Sequence, residues 1–297
     1  MPAANSRPHV VTAERAGRDR PTEDRIFTTP NAVIVLDGAS QPGDHRHDGG
    51  WLAQQVGHYL AQILTAHPDI GLVDALAEAI DHIRHLHGLR PGAAPSTTVS
   101  LVRWTDNDVH ILVLGDSPTI VLTRAGEIHQ VRDDRLSQVA LDQHADLHDA
   151  IQQRGGFGFQ HAVEWTTLVE AQRKARNTPE GYWIAEAVPG AARHAVYARW
   201  PVNDIAAALT MTDGVSDGID NYQTPPTWKA AFALANHHPT RLIETVHQAE
   251  KDDAEGRRWP RSKRHDDKAV ALIRLTSAAH IAELTSCWPG SSAGGGA

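Results

Sequence analysis

Cysteine and long apolar runs are nearly absent from this chain, and each absence excludes a class of protein. Its 297 residues include one cysteine, Cys287, which excludes an internal disulfide framework and a zinc site built from cysteines. No apolar run approaches the roughly 20 residues that cross a bilayer, and the N-terminus lacks the apolar region of a signal peptide. We therefore expect a cytoplasmic protein with no membrane partner.

Basic residues are also scarce relative to acidic ones. Lys and Arg number 28 against 36 Asp and Glu, which gives a formal net charge of -8. A chain of this charge offers no broad basic surface to phosphate backbones, so nucleic acid is not an expected partner. With 41% hydrophobic residues the chain can bury a core, and its length permits one large domain or two ordinary ones.

Strand-like and helix-like segments occur in groups along the chain. After a loose start, short apolar runs predict strands at residues 25–28, 31–36, 97–103, 109–114, 119–122, 127–131, 195–200, 205–211 and 268–275. Apolar residues at helical spacing predict helices at residues 50–67, 73–83, 226–235 and 240–250. Strand runs grouped with helical pairs favour an α+β layered fold over a doubly wound parallel sheet.

The segment from residue 137 to residue 180 differs from its surroundings. It is polar, rich in His and Gln, and interrupted by the glycine-containing stretch 154–159. We predict an irregular helical insertion or flap there, within a single domain that covers residues 1–280. Residues 281–297 are predicted to form a flexible C-terminal tail.

Acidic motifs stand at the ends of the short apolar runs. A carboxylate at the end of a buried strand must be paired, hydrogen-bonded or bound to a cation to offset its desolvation. Mg²⁺ and Mn²⁺ prefer oxygen ligands of this kind. The sequence therefore predicts a carboxylate-built metal site from five motifs: Glu23-Asp24, Asp37-Gly38, Gly115-Asp116, Asp213-Gly214 and Asp266-Asp267.

These motifs, together with the hydroxyl stretch Ser96-Thr97-Thr98, occur in the order typical of one enzyme family. In that order the chain resembles the metal-dependent protein phosphatase 2C family of bacterial type, which removes phosphate from serine and threonine. The resemblance spans about residues 17–275. It implies a four-layer α-β-β-α sandwich of two antiparallel sheets flanked by helices, and a phosphoserine or phosphothreonine protein as the substrate.

The resemblance also implies which residues bind metal. Two Mn²⁺ or Mg²⁺ ions are expected, bridged by Asp37, with the carbonyl of Gly38 on one ion and with Asp213 and Asp266 on the other. Asp37, Asp213 and Asp266 are thus the expected catalytic residues, because the two ions activate a bridging water for in-line attack on phosphorus. Further ligands are Glu23 and Asp24, through coordinated waters, and Asp116 and Asp217, which join Asp213 in a third, weaker site.

Two other roles fall on loops that depart from the family pattern. Asp19 stands where the family usually has a phosphate-binding arginine, so the neighbouring Arg20, or Arg18, is expected to bind phosphate. The loop after Gly38 is longer than is common in the family, and His45 or His47 within it is the expected general acid.

Two alternative functions stay open. The departures in both loops are compatible with a catalytically weak or inactive pseudophosphatase that binds a signalling partner. An unrelated carboxylate-metal hydrolase acting on a small phosphate ester would show little preference for phosphopeptides over metabolites.

Overall fold

Apolar alternation along the strands builds two antiparallel sheets that pack face to face. The computed structural model describes residues 8–39, 47–154 and 156–286. The strands are β1 (His9–Arg15), β2 (Arg25–Thr28), β3 (Ala32–Leu36), β4 (Gly38–Ala39), β5 (Ser96–Thr97), β6 (Val99–Trp104), β7 (Asp108–Leu114), β8 (Thr119–Thr123), β9 (Ile128–Val131), β10 (Val196–Pro201), β11 (Ile205–Met211) and β12 (Lys268–Arg274). One sheet has the order β1-β12-β11-β8-β9 and the other the order β10-β7-β6-β3-β2, while β4 and β5 form a short separate pair.

Helices cover the outer face of each sheet. The helices are α1 (Gly49–Ala66), α2 (Leu72–His87), α3 (Leu141–Arg154), α4 (Phe159–Ala175), α5 (Asp213–Asp220), α6 (Trp228–His237), α7 (Pro239–Asp252) and α8 (Ala278–Thr285). Of these, α3 and α4 pack mainly on each other rather than on a sheet. Helices α1 and α2 share one apolar cluster with β3, β6 and β7, and α5 to α8 share another with β8, β11 and β12. No helix in the described parts of the chain is long and apolar enough to span a membrane.

The period of two along each strand divides the core into layers. In β3, Ile34 and Leu36 face the helices, whereas Val33 and Val35 belong to the cluster between the two sheets. In β12, Leu272 likewise faces the helices. Because alternate side chains point to opposite faces, one continuous apolar strand serves both layers. The four-layer sandwich of two antiparallel sheets and flanking helices is therefore confirmed.

The strand pairings bring the acidic motifs to one edge of the sandwich. Met211, the last residue of β11, pairs with Val270 near the start of β12. Leu114, the last residue of β7, pairs with Val99 at the start of β6, whose next residue pairs with β3 close to its end. The carboxylates that follow β3, β7 and β11 and that precede β12 consequently share this edge.

Several predicted boundaries were wrong. The loose start contains β1, an edge strand whose partly exposed residues mask its alternation. The insertion is a hairpin of two regular helices, α3 and α4, rather than an irregular segment. A flexible tail starting at residue 281 is also wrong, since α8 continues to Thr285 and buries both Ile281 and Thr285. Residues 287–297, with Cys287, lie outside the described residues.

Candidate metal centre

Five aspartates from four parts of the chain line one cleft at the acidic edge. Asp37 follows β3, Asp213 begins α5 directly after β11, and Asp266 precedes β12. Together with Asp116 and Asp217 they line a cleft of about 900 Å³. All five side chains are partly buried. The structure thus brings the sequence-predicted carboxylates together; we name these five residues, with the adjacent Asp24, the carboxylate centre.

Hydroxyl groups fix the strand end that carries Asp37. The backbone N–H of Asp37 donates to Thr98 Oγ1 at 3.0 Å, and the Thr97 hydroxyl donates to the Asp37 carbonyl at 2.9 Å. Thr98 Oγ1 in turn shares a hydrogen bond of 2.6 Å with Ser117 Oγ. The Ser-Thr-Thr stretch therefore supports the centre through the backbone of Asp37.

Glycines allow the close approaches that this edge requires. A Cβ atom on Gly38 would lie 2.3 Å from the backbone carbon of Gly49, at the start of α1. A Cβ atom on Gly214 would lie 2.0 Å from the carbonyl oxygen of Asp267. No side chain fits at such distances, which explains why Asp37 and Asp213 are each followed by glycine.

Asp116 is held by a second aspartate that sequence analysis did not single out. Gly115 has a φ of 83°, a left-handed conformation that favours glycine, and its N–H donates to Asp133 Oδ2 at 3.1 Å. Arg135 donates to both carboxylate oxygens of Asp133, at 2.7 and 2.6 Å. Asp133 lies in a charged run after β9, and no pattern in that run marks it as a support.

Asp24 is buried beside the centre with half of its carboxylate unsatisfied. Thr212 Oγ1 donates to Asp24 Oδ2 at 2.8 Å and accepts the N–H of Ala269 at 3.0 Å. Within the described residues, Asp24 Oδ1 is buried without a hydrogen-bond partner, and so is Asp213 Oδ1. Buried oxygens that lack a donor are a suitable place for a hard cation.

The second aspartate of the closing motif has a structural task. Asp267 accepts the backbone N–H of Gly17 at 2.7 Å and that of Glu23 at 2.8 Å. It therefore ties the segment before β2 to the start of β12. Glu23 is buried by this arrangement, and its side chain forms an ion pair of 3.0 Å with Arg20.

Most carboxylates of the centre carry a raised pKa. Burial is the largest cause for each of them, and neighbouring carboxylates add to it. The pKa values of Asp24, Asp37 and Asp217 lie well above the usual range, the pKa of Asp213 is raised, and the pKa of Asp116 is raised to about 7. A divalent cation between these groups would remove the repulsion that raises the pKa values. The donor set thus fits a hard cation.

Asp266 is the exception, because a lysine neutralises it. Lys263 Nζ lies 2.5 Å from Asp266 Oδ1, and the backbone N–H of Asp267 donates to the same oxygen at 2.8 Å. Burial alone would raise the pKa of Asp266, but the ammonium of Lys263 outweighs burial and the pKa is lowered. The carboxylates of Asp266, Asp37 and Asp213 likewise outweigh burial and raise the pKa of Lys263. Sequence analysis missed Lys263, which lies in a loop that is basic throughout.

The predicted phosphate-binding and proton-donating residues are not among the described residues that line the cleft. Arg18 and Arg20 are exposed and do not belong to the described lining of the cleft. His47 stacks on Trp51 with ring centroids 3.9 Å apart, again away from that lining. His45 lies outside the described residues. The roles of these four residues therefore stay predictions.

The α3–α4 hairpin forms one wall of the cleft. It contributes His144 and His148 from α3 and Trp165 from α4. Burial lowers the pKa of both histidines, so both are neutral near pH 7. The hairpin thus presents neutral polar and aromatic groups to whatever enters the cleft.

A second group of potential ligands lies behind the centre. The ligand atoms of His247, Glu250 and His265 lie within 4.8 Å of one another. Lys268 Nζ already binds both carboxylate oxygens of Glu250, at 2.8 Å each. Burial and the surrounding positive groups, first among them Arg15, lower the pKa of His247 to about 4. This positive field opposes a further cation, and we assign the group to the support of the Asp266 loop.

Comparison with known proteins places the chain in a family. The family model described as "Protein phosphatase 2C" matches residues 13–250. No sequence among the curated proteins matches the chain.

Solved structures share the fold at low sequence identity. PppA, described as a key regulatory component of T6SS in Pseudomonas aeruginosa, is 18% identical with a TM-score of 0.53, over 91% of this chain and 98% of that one. A bacterial serine phosphatase is 14% identical with a TM-score of 0.55, over 90% and 98%. The PPM Ser-Thr phosphatase MsPP from Mycobacterium smegmatis, in complex with cacodylate, is 19% identical with a TM-score of 0.53, over 90% and 98%. These similarities show the fold.

Proposed function

The chain belongs to the protein phosphatase 2C family, and on that premise we propose that it is a metal-dependent phosphatase of phosphoserine and phosphothreonine in proteins. One observation carries the proposal: Asp37, Asp213 and Asp266 line the same cleft, and among the described residues the buried Oδ1 atoms of Asp24 and Asp213 have no hydrogen-bond partner. A structural cluster of aspartates would have satisfied these oxygens internally.

In this proposal the carboxylates hold two Mn²⁺ or Mg²⁺ ions. Asp37, Asp213 and Asp266 are the direct ligands with the carbonyl of Gly38, and Asp24 acts with Glu23 through water. Asp116 and Asp217 belong to a third, weaker position. When bound, such ions activate water for attack on phosphorus and neutralise charge on the phosphoryl oxygens.

The remaining residues position these ligands and shape the cleft. Thr98 and Thr97 hold the backbone of Asp37, so the point from which its carboxylate extends into the cleft is fixed. Thr212 acts on Asp24 directly, because its hydroxyl donates to the carboxylate. At about 900 Å³ the cleft can take a phosphorylated side chain with adjoining peptide, and the α3–α4 hairpin would contact that peptide through Trp165.

The test is phosphate release from a phosphothreonine peptide with and without added Mn²⁺. Asp37→Asn and Asp213→Asn should each lower kcat/KM at least about a hundredfold, because even residues that only support metal ligands commonly cost 10–100-fold. Asp134→Asn is the matched control, since Asp134 is an exposed aspartate of the same cleft outside the centre. Full activity in both ligand variants would exclude this function.

The same assay separates protein substrates from small esters. We expect a higher kcat/KM for the phosphopeptide than for a phosphorylated metabolite, because a peptide contacts the hairpin wall as well as the centre. Equal values for both substrates would instead favour a hydrolase of small phosphate esters.

A pseudophosphatase is the second candidate, and Lys263 is the observation that favours it. An ammonium group bonded to Asp266 occupies a ligand of the expected metal site. Titration calorimetry with Mn²⁺ distinguishes the candidates: a folded protein that takes up no ion would be a binding module rather than an enzyme.

A further inference from the structure

Lys263 lies inside the carboxylate centre rather than at its rim. Its ammonium is 2.5 Å from Asp266 Oδ1, and its side chain is 19% exposed. Lys263 itself lines the cleft together with Asp37 and Asp213. A lysine with no role there would extend its ammonium into water, because fixing a long side chain in an ion pair costs conformational entropy.

The loop that carries Lys263 is fixed by an arginine two residues before it. Arg261 is buried, with a side-chain exposure of 6%, so it anchors the loop from the protein interior. The Arg261 guanidinium donates to the carboxylate of Asp253 at 3.0 Å and to the carbonyl oxygens of Glu250, Asp253, Trp259 and Arg264 at 3.1, 2.7, 3.0 and 3.1 Å. Lys263 is consequently directed at the centre by a hydrogen-bonded loop.

The bonds to Asp266 leave little room for a metal ion on the same oxygen. An ionised carboxylate oxygen offers about two lone pairs. Lys263 Nζ and the Asp267 N–H take both lone pairs of Oδ1. A divalent ion that used Oδ1 would also stand close to the ammonium, and at such distances two like charges repel strongly in a partly buried site.

We propose that Lys263 fills a cation position of the carboxylate centre, so that a divalent ion reaches Oδ1 of Asp266 only by displacing this ammonium. The inference rests on the proposed function, since it concerns the occupancy of the same centre. It makes uptake of an ion at Asp266 a competition with the Lys263 ammonium, so an ion there would bind more weakly than one held by carboxylates that form no ion pair.

Titration calorimetry of the full chain with Mn²⁺ alone tests the competition. Lys263→Met removes the ammonium, and the weaker Mn²⁺ site should then bind about tenfold or more tightly, since a hydrogen bond between charged groups is lost from the competing state. Lys263→Arg keeps a positive group and should remain within about threefold of the wild type. Lys229→Met, on the partly exposed face of α6, removes the same charge outside the cleft and should change nothing.

A melting experiment supplies a readout that does not depend on calorimetry or activity. Without Mn²⁺, Lys263→Met should unfold at a lower temperature than the wild type, because Asp266 loses its counter-ion. Addition of Mn²⁺ should raise the melting temperature of Lys263→Met more than that of the wild type. If Lys263→Met fails to fold, Lys263→Gln provides the same comparison with an uncharged donor in place of the ammonium.

The outcomes separate this inference from the proposed function. Equal Mn²⁺ affinity and equal stabilisation in the wild type and the Lys263 variants would overturn the competition while leaving the metal centre intact. If none of the folded proteins takes up Mn²⁺, the metal centre is wrong and the competition is wrong with it.

Discussion

The two sides of the carboxylate centre balance their charges differently. On one side, here called the open side, the carboxylates form no ion pair within the described residues and their pKa values are raised; it comprises Asp24, Asp37, Asp116, Asp213 and Asp217. On the other, the paired side, Asp266 of the centre bonds Lys263, and Glu250, which lies behind the centre, bonds Lys268. The carboxylates of the open side need protons or an external cation to balance their charge, whereas lysines of the same chain balance the charge of the paired side.

This difference assigns separate tasks to the two sides. Lys268 is fully buried and binds both oxygens of Glu250 at 2.8 Å and the carbonyl of Asp266 at 2.9 Å, so it joins α7 to the start of β12. The start of β12 is thereby fixed before any ion binds. On the open side, neutral hydroxyls support Asp37 and Asp24 and leave the charge of these two carboxylates for a ligand.

Removing Lys268 should break the paired side and have the largest effect on stability. Lys268→Met leaves Glu250 buried without its main counter-ion, and such losses cost roughly 3–5 kcal/mol. The measurement is the free energy of unfolding from urea titration in the presence of EDTA. His265, whose Nδ1 lies 3.0 Å from Glu250 Oε2, remains beside the carboxylate in this variant.

Lys251→Met is the matched control for this variant. Lys251 lies next to Glu250 on α7 but is exposed, and its replacement should change the free energy of unfolding by no more than about 0.5 kcal/mol. Comparable decreases in the free energy of unfolding of Lys268→Met and Lys251→Met would mean that the buried pair does not hold the start of β12.

Removing a hydroxyl should weaken the open side by a smaller amount. Thr212→Val deletes the donor to Asp24 Oδ2 and the acceptor of the Ala269 N–H, with an expected cost of about 2 kcal/mol. Thr65→Val is the control, because the Thr65 hydroxyl donates to a carbonyl on the exposed face of α1. We expect added Mn²⁺ to stabilise Thr212→Val less than the wild type, since Asp24 is no longer oriented. Equal stabilisation by Mn²⁺ would contradict a role of Thr212 at the centre.

The positions of the open-side carboxylates were largely predictable from sequence, because the features that mark them lie in adjacent residues. Each of Asp37, Asp116 and Asp213 follows an apolar run and is adjacent to a glycine, and both features follow from a strand end that touches another backbone. Apart from β1 and the two-residue strands β4 and β5, the strands were predicted to within one or two residues, and most of these are largely buried. β1 was missed because an edge strand with partly exposed residues loses that pattern.

The paired side could not be predicted in this way. Lys263 and Lys268 act through partners 3 and 18 residues away, on a loop and on α7. In sequence both are ordinary charged residues in a basic stretch, and only the tertiary fold buries one and directs the other at Asp266. The α3–α4 hairpin was underestimated for a related reason: its helices are largely polar, so the helical period is weak even though the helices form.

The pH dependence of stability provides the smallest and sharpest test of the open side. Burial and the neighbouring Asp213 raise the pKa of Asp116 from 3.8 to about 7, so the folded protein holds a proton that the unfolded chain releases near pH 4. The stability from this neutral form is present below pH 4 and is lost as the pH rises through 7. In EDTA, the free energy of unfolding should fall by on the order of 1 kcal/mol between about pH 6 and pH 8 through Asp116 alone. Asp116→Asn should flatten this part of the profile, and Mn²⁺ should offset the fall in the wild type because a cation stabilises the ionised carboxylate. Parallel profiles for the wild type and Asp116→Asn would mean that Asp116 does not hold this proton in the folded protein.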